Sequence, residues 1–369
     1  MTTESRIDND WVPPLLPELE VIEREGRWLC LNPRVPSWIV TRRPGALLLK
    51  MIDGESSVGD YQRLLDAHGI PSAGVAELFQ VAMTARLFES PTVPRVGESW
   101  HGRKLSAIYL HLTNRCNLQC SYCYRESSPQ LPIHHDASRF IAMLEYLKPY
   151  TSPHMEITFS GGEPTMHPGF REVVETSTHL GYRNVLLTNA TRITDPLADF
   201  IHEHFRRAKI SLDGPNEEIH SQTRGKGNFS NVIRGIEKLL ARGVRVVVQV
   251  TLSKSGLPYV DEIRRVLPET PNLRVVYTPL FPMGRGAEVA DEAPDNDDFY
   301  GFSTAHGGGT RYAPGRPSRG CHAGAGSLSI ADTGDVYPCH LFHFDAFRLG
   351  NVFHDSFENI FSETESVPT

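Results

Sequence analysis

Apolar and polar positions alternate along LEVIER (19–24) and RWLCL (27–31), on either side of Glu25-Gly26, and this pattern predicts a β-hairpin. A third short strand is expected at 38–41. Pro44 stands where a helix can begin, 46–52 is helix-friendly, and Asp53-Gly54 ends it. Ser57 followed by Asp60 has the form of a capped helix start ahead of YQRLL, and Val75, Leu78, Phe79 and Ala82 recur at helical spacing. Residues 15–89 therefore read as a small unit of strands followed by three helices.

The pattern lapses over 90–106 (SPTVPRVGESWHGRKLS at its core), a linker. Six β-rich runs follow, at 107–113, 155–160, 184–189, 208–212, 244–252 and 273–279, with helical stretches at 136–149, 169–180, 196–206, 228–242 and 258–267 between them. Strand, crossover helix and strand in repetition implies parallel pairing with right-handed crossovers. Six repeats fall short of a closed eight-fold barrel and leave an open partial barrel or a doubly wound sheet. Residues 286–319 are rich in Gly, Pro and charge, with acids between Glu288 and Asp298 and arginines at 311, 316 and 319, and read as a flexible, solvated loop. In the last stretch, 328–330 and 336–338 flank the turn from Asp332 to Asp335 as a hairpin whose base draws Cys321 and Cys339 together.

The 369 residues leave room for two or three packed units. Thirty-seven basic residues stand against 44 acidic ones, a formal charge of −7, so no global cationic field recruits nucleic acid or an anionic membrane. The opening residues carry neither a basic nor an apolar signal segment, and no run reaches the ~18 apolar residues of a membrane span. A cytoplasmic protein is expected. Of the six cysteines, Cys30 lies in the first hairpin and reads as a buried apolar residue, whereas Cys116, Cys120 and Cys123 fall together.

Those three form C-x3-C-x2-C in HLTNRCNLQCSYCYRES, directly after the first strand of the repeat. Thiolates on so short a loop suit a soft metal centre, either zinc or iron–sulfur. A structural zinc wants a fourth ligand close by, and three ligands with an open position suit a reactive cluster better. The second strand of the repeat ends in SGGEP, where Gly161 and Gly162 let the backbone approach a ligand and Glu163 offers a carboxylate to a cation. The third ends at Thr188-Asn189 and the fourth at Ser211-Leu212-Asp213-Gly214. In parallel α/β architectures the ligand site gathers at these carboxyl ends.

On these residues, 107–285 resembles the core of the radical S-adenosylmethionine (radical SAM) superfamily: C-x3-C-x2-C with Tyr122 before the last cysteine, then GGEP, then SLDG. The resemblance implies an α/β fold, a partial (β/α)6 TIM-like barrel. It also implies that Cys116, Cys120 and Cys123 hold a 4Fe-4S cluster whose fourth iron is chelated by S-adenosylmethionine (SAM), which is cleaved to a 5′-deoxyadenosyl radical. Gly161, Gly162 and Glu163 would receive the methionyl ammonium, and Tyr122 would lie near the adenine. Asn189, Ser211 and Asp213 are candidates for the ribose or carboxylate. HSQTRG (220–225) resembles the H-x3-R-G stretch of the peptide-modifying branch, which makes Arg224 the candidate partner of the SAM carboxylate. An external electron donor of flavodoxin or ferredoxin type is implied with the cluster.

Residues 320–369 resemble the start of the SPASM or twitch extension, which binds auxiliary iron–sulfur clusters, with Cys321 and Cys339 as candidate ligands of a second cluster. The family supplies further cysteines, and none follows here before Thr369. His322, His340 or His343 could substitute, an iron could stay open, or the site is truncated or vestigial, the last being the expectation. Residues 15–89 resemble the PqqD-like RiPP recognition element, a winged-helix-like domain that binds precursor leader peptides. Few basic residues between Ser57 and Glu89 argue against a DNA-binding winged helix. The expected function is hydrogen abstraction from a ribosomally synthesised precursor peptide, giving a cross-link, thioether or epimer. The alternatives are a radical SAM enzyme acting on a folded protein, as sulfatase-maturing relatives do, or on a small metabolite, and a zinc-stabilised peptide-binding module.

Overall fold

The structure is a computed structural model that describes residues 7–16, 19–24, 26–32, 37–85, 87–88, 104–295, 302, 323–324 and 326–362. The chain divides into two units, residues 1–98 with 309–321, and 99–308 with 322–369. In the first, strands β1 (Glu20–Arg24), β2 (Arg27–Asn32) and β3 (Ser37–Thr41) form an antiparallel sheet in that order. Helix α1 (Arg43–Lys50) carries Pro44 in its first turn, where the sequence places a helix start, and ends at Lys50, ahead of the expected 52. Helix α2 (Val58–Ala67) opens with the capping box read from Ser57 and Asp60: Asp60 N–H donates to Ser57 Oγ at 3.3 Å and Ser57 N–H to Asp60 Oδ2 at 2.9 Å. Helix α3 (Val75–Thr84) completes the set.

One face of this sheet buries Cys30 and Ile39 against Leu48, Leu49, Tyr61 and Phe79 from the helices. The other face carries Ile22, Leu29 and Val40 in one cross-strand row, with Leu31 and Trp38 in the next. Ile22, Trp38 and Val40 are exposed, at 52%, 43% and 51%.

The second unit contains the six expected parallel strands in chain order: β4 (Leu105–Thr113), β5 (Thr151–Gly161), β6 (Arg183–Thr188), β7 (Arg207–Ser211), β8 (Val246–Leu252) and β9 (Leu273–Pro279). The crossovers carry α4 (Ala137–Leu147), α5 (Phe170–His179), α6 (Asp195–His204), α7 (Glu217–Arg224), α8 (Phe229–Ala241) and α9 (Val260–Arg265). Ile108, Leu110, Ile157, Phe159, Leu186, Ile210 and Val248 share a core with Phe140, Leu144, Val173, Ile201 and Ile236 of the helices. Each such burial contributes roughly 1.5–3 kcal/mol before entropy is counted. Alternate residues, among them Tyr109, His111, Thr158, Lys209 and Ser211, project from the opposite face. The Lys209 ammonium on β7 lies 5.8 Å from the Tyr109 ring centre on β4, across two intervening strands, so the sheet is strongly curved there.

Helix α7 was not foreseen. Nor was the placement of the carboxyl-terminal hairpin, which the sequence suggests as a separate extension. Strand β10 (Ser327–Ile330) pairs in parallel with β4, Leu328 beside Ile108 and Ile330 beside Leu110, while β11 (Asp335–Tyr337) and β12 (Gly350–Asn351) continue outward. The result is one nine-stranded sheet, in which β10 satisfies the backbone groups that β4 would otherwise leave at an edge. Residues 284–292, which run into the expected loop at 286–319, form two 3-10 turns on either side of a kink at Val289. Residues 90–103, Arg311, Arg316, Arg319, Cys321 and His322 lie outside the described residues. Among the described residues no helix is long and apolar enough to cross a membrane.

Candidate functional site

β4 ends at Thr113 and the chain turns at once into the cysteine loop. The loop is fastened to itself, with Cys116 N–H donating to Ser128 O at 3.1 Å and Ser127 Oγ–H to Asn114 Oδ1 at 2.7 Å. β5 then delivers Gly161 and Gly162 against that loop. Gly162 N–H donates to Thr113 O at 2.7 Å and Glu163 N–H to Arg115 O at 2.9 Å. A methyl group at Gly161 would lie 2.2 Å from Thr113 O, and one at Gly162 would lie 2.3 Å from Arg115 O; Gly161 also has φ +121°. The glycines are therefore required by the approach of two backbones of this chain, whereas the sequence suggested close approach to a ligand.

The turn buries the Glu163 side chain, of which 1% is exposed. Its Oε1 accepts from Thr165 Oγ1 at 2.7 Å and Thr188 Oγ1 at 2.8 Å, and its Oε2 accepts from Asn189 N–H at 2.9 Å. Burial pushes this carboxyl above its ordinary range even though these hydrogen bonds oppose the shift. Asn189, at the end of β6, extends the connection to the cysteines: its Nδ2 donates to Asn117 Oδ1 at 3.0 Å and lies 3.7 Å from Cys116 Sγ.

Past β7, Asp213 is a hub. Arg224 Nε donates to Asp213 Oδ2 at 2.5 Å, Thr223 Oγ1 to the same oxygen at 3.0 Å, and Thr251 N–H to Oδ1 at 3.0 Å. The Tyr122 hydroxyl also donates to Oδ2 and accepts from Arg224 Nη2. Burial would raise the Asp213 carboxyl, but the Arg224 charge and these donors hold it below the usual carboxylate range. Tyr122, assigned by resemblance to the adenine, Asp213, to the ribose or carboxylate, and Arg224, to the carboxylate, thus meet one another. Ser211 ends β7 in register with Gln249 and has no part in this hub. His220 is fully buried, its Nδ1 accepting from Asp213 N–H at 3.3 Å, and burial followed by the Arg224 charge lowers it to about 4.

Each thiol meets donors. Leu118 N–H lies 3.4 Å from Cys116 Sγ, Ser127 N–H 3.4 Å from Cys123 Sγ, and Arg224 Nη1 4.0 Å from Cys120 Sγ. Burial pushes Cys116 up to about 12, with Glu163 and the other two sulfurs adding to the shift, and burial also raises Cys120. Such thiols release their protons only to a strongly bound cation. Among the described residues no three His, Cys, Asp or Glu side chains are grouped to hold one metal ion.

Arg285 is a site residue that sequence reasoning missed. Its backbone N–H donates to Cys123 O at 3.2 Å, its Nε to Cys120 O at 2.9 Å and its Nη2 to Ser127 O at 2.8 Å. The Gly-Arg-Gly triplet at 284–286 was the available signal. In the tail, Cys339 Sγ lies 3.8 Å from His340 Nδ1, and His340 stacks on Tyr109 at 4.2 Å between ring centres. His343, suggested as a substitute ligand, has both ring nitrogens occupied, by Arg125 and by Ser329 Oγ at 2.7 Å.

The radical SAM superfamily model matches residues 110–262, and the SPASM iron-sulfur cluster-binding domain matches residues 321–366. The chain is 28% identical to the antilisterial bacteriocin subtilosin biosynthesis protein AlbA of Bacillus subtilis (strain 168), over 73% of this chain and 62% of AlbA. It is 29% identical to the AdoMet-dependent heme synthase of Oleidesulfovibrio alaskensis, over 70% of this chain and 74% of that protein. It is 30% identical to the mycofactocin maturase MftC of Mycolicibacterium smegmatis, over 74% of each. The chain thus spans less than two thirds of AlbA and about three quarters of the other two. Among solved structures, Streptococcus suis SuiB bound to precursor peptide SuiA shares the fold, with a TM-score of 0.53 at 13% identity over 96% of this chain and 88% of SuiB.

Proposed function

The chain belongs to the radical SAM superfamily and is a radical SAM enzyme, and from that premise we propose that it abstracts hydrogen from a residue of a ribosomally synthesised precursor peptide. The cofactors of this family are a 4Fe-4S cluster and SAM, which together supply a 5′-deoxyadenosyl radical by one-electron cleavage, and the SPASM domain brings further iron–sulfur binding. Cys116, Cys120 and Cys123 hold the reactive cluster, each sulfur already oriented by a nearby N–H donor. Glu163 takes the methionyl ammonium on Oε2, the oxygen with one protein donor, and Gly161 and Gly162 keep that carboxylate tight against the cysteine loop. Asn189 fixes the two relative to each other.

Arg224 keeps Nη1 for the SAM carboxylate while Asp213 holds the rest of the guanidinium, so Asp213 acts by orienting Arg224 and Tyr122. Tyr122 and Ser211 border the adenosine. An external flavodoxin- or ferredoxin-type protein supplies electrons, and Cys321 and Cys339 contribute to an auxiliary cluster in the SPASM domain.

The observation that carries the peptide reading is the open apolar row Ile22–Leu29–Val40 on the first unit. A leader segment can add a strand beside it and lay apolar side chains along it, as a PqqD-like recognition element would. Tethering the leader raises the concentration of the core peptide at the barrel mouth. The names of AlbA and MftC, and the SuiB complex with SuiA, agree with such a substrate. The heme synthase relative keeps a small-metabolite substrate as the second reading.

Anaerobic reconstitution with iron and sulfide tests the proposal. Brown protein should form 5′-deoxyadenosine only with SAM and reductant, and Cys120→Ala should lose both the iron and the product. Colourless wild-type protein carrying one zinc per chain would establish the zinc module instead. Modification of a peptide encoded beside this chain, dependent on its leader, would separate the peptide reading from the metabolite one.

A further inference from the structure

We propose that Arg285 is a positioning residue for the cysteine loop, and that its fixed positive charge raises the reduction potential of the cluster held there. The inference rests on the cluster reading above and concerns a residue outside the C-x3-C-x2-C, GGEP and SLDG motifs.

Three donors of this one residue meet three carbonyls spaced along the loop: backbone N–H to Cys123 O, Nε to Cys120 O, and Nη2 to Ser127 O. Two of those carbonyls belong to proposed ligands and the third to a residue whose N–H faces Cys123 Sγ. Arg285 therefore braces the carboxyl-terminal half of the loop as the glycine turn braces its amino-terminal half at Thr113 and Arg115. The flanking glycines make the approach possible. At Gly284, where φ is +56°, an added methyl would lie 2.6 Å from Tyr124 O and 2.7 Å from Cys123 O. At Gly286 it would lie 2.7 Å from Phe281 O.

The chemistry follows from charge. One-electron reduction of a cluster on three thiolates adds a unit of negative charge to a site that already contains Glu163 and Asp213, both buried. Arg224 is neutralised by Asp213, whereas no carboxylate among the described residues forms an ion pair with Arg285. A guanidinium held within the loop's hydrogen-bond network favours the reduced state, since net charge and surrounding hydrogen bonds set cluster potentials. The planar fork, with donors diverging to Cys120 and Ser127, is a geometry that an ammonium cannot reproduce.

The test uses the full chain reconstituted with iron and sulfide, wild type beside Arg285→Gln and Arg285→Lys. Two quantities are read without substrate: the midpoint potential by EPR-monitored reductive titration, and the rate of iron loss to a chelator. Arg285→Gln is expected to shift the midpoint to lower potential and lose iron several-fold faster. Arg285→Lys is expected to restore the potential but not the iron retention. Should Arg285→Gln fail to fold by circular dichroism, Arg285→Lys still reads both quantities, and wild-type iron retention in it overturns the positioning role. Wild-type values of both quantities in Arg285→Gln overturn the proposal as a whole. Wild-type protein that takes up no iron removes the cluster reading and this inference with it, an outcome distinct from a normal cluster indifferent to Arg285.

Discussion

Arg224 and Asp213 are locked together away from solvent, Nε to Oδ2 at 2.5 Å and Nη2 to Oδ1 at 3.4 Å, with 9% and 3% of their side chains exposed. Removing one partner of such a pair leaves the other charge buried and uncompensated. Asp213→Asn should therefore cost about 3–5 kcal/mol, read by chemical denaturation. The pH dependence has a definite sign. The folded Asp213 protonates below the unfolded value of about 3.9, so its contribution is complete above that value and is lost as pH falls through the folded one. The stability gap between wild type and Asp213→Asn should narrow on acidification, and a constant gap would count against the pair.

Glu163 carries the opposite sign. Burial raises its folded value, so the native state binds the proton more tightly, and the carboxylate's cost appears as pH rises above the unfolded value of about 4.3. Stability should move in favour of Glu163→Gln as pH climbs through that range. Affinity for SAM, by equilibrium dialysis of reconstituted protein, should fall about 10- to 150-fold, the equivalent of a charged hydrogen bond worth ~1.5–3 kcal/mol. Unaltered SAM affinity would remove Glu163 from the ammonium site.

Gly162→Ala places a methyl 2.3 Å from Arg115 O, backbone against backbone, where no side chain can swing aside. A destabilisation of about 1–3 kcal/mol is expected, together with poor iron retention, because the cysteine loop has to move. Gly74→Ala, where an added methyl meets nothing within 4 Å, is the control and should match wild type in iron retention, whatever its effect as the N-cap of α3.

Ile22→Lys and Val40→Lys put charge into the exposed apolar row without touching the core behind it. Each should weaken binding of the precursor peptide, measured by anisotropy of a labelled leader, and leave uncoupled SAM cleavage intact. Deleting 1–90 should do the same more severely. Unchanged peptide binding in both point variants would move the leader elsewhere.

Much of this was legible in the sequence because it is local. The capping box at Ser57 and Asp60, the six β-rich runs and the polar residues that end them are statements about near neighbours. Helix α7 escaped because EEIHSQTR has no apolar stripe; it forms because Asn216 caps it and Ile219, His220 and Arg224 are buried by tertiary contacts. The meeting of Tyr122, Asp213 and Arg224 joins residues about a hundred positions apart, which no periodicity encodes. Arg285 was hidden for the same reason: its partners Cys120 and Ser127 lie about 160 positions earlier, and it stands at the last position of the stretch read as the core.

The pairing of β10 with β4 bears on how the chain is made. Leu110 finds its outer neighbour in Ile330, and Ser106 donates to Gly326 across 220 positions. During synthesis the strand that leads into the cysteine loop waits with one edge unpaired until nearly all of the second unit has left the ribosome. Until then that edge is open to other strands, and pairing of β10 is the step that closes it.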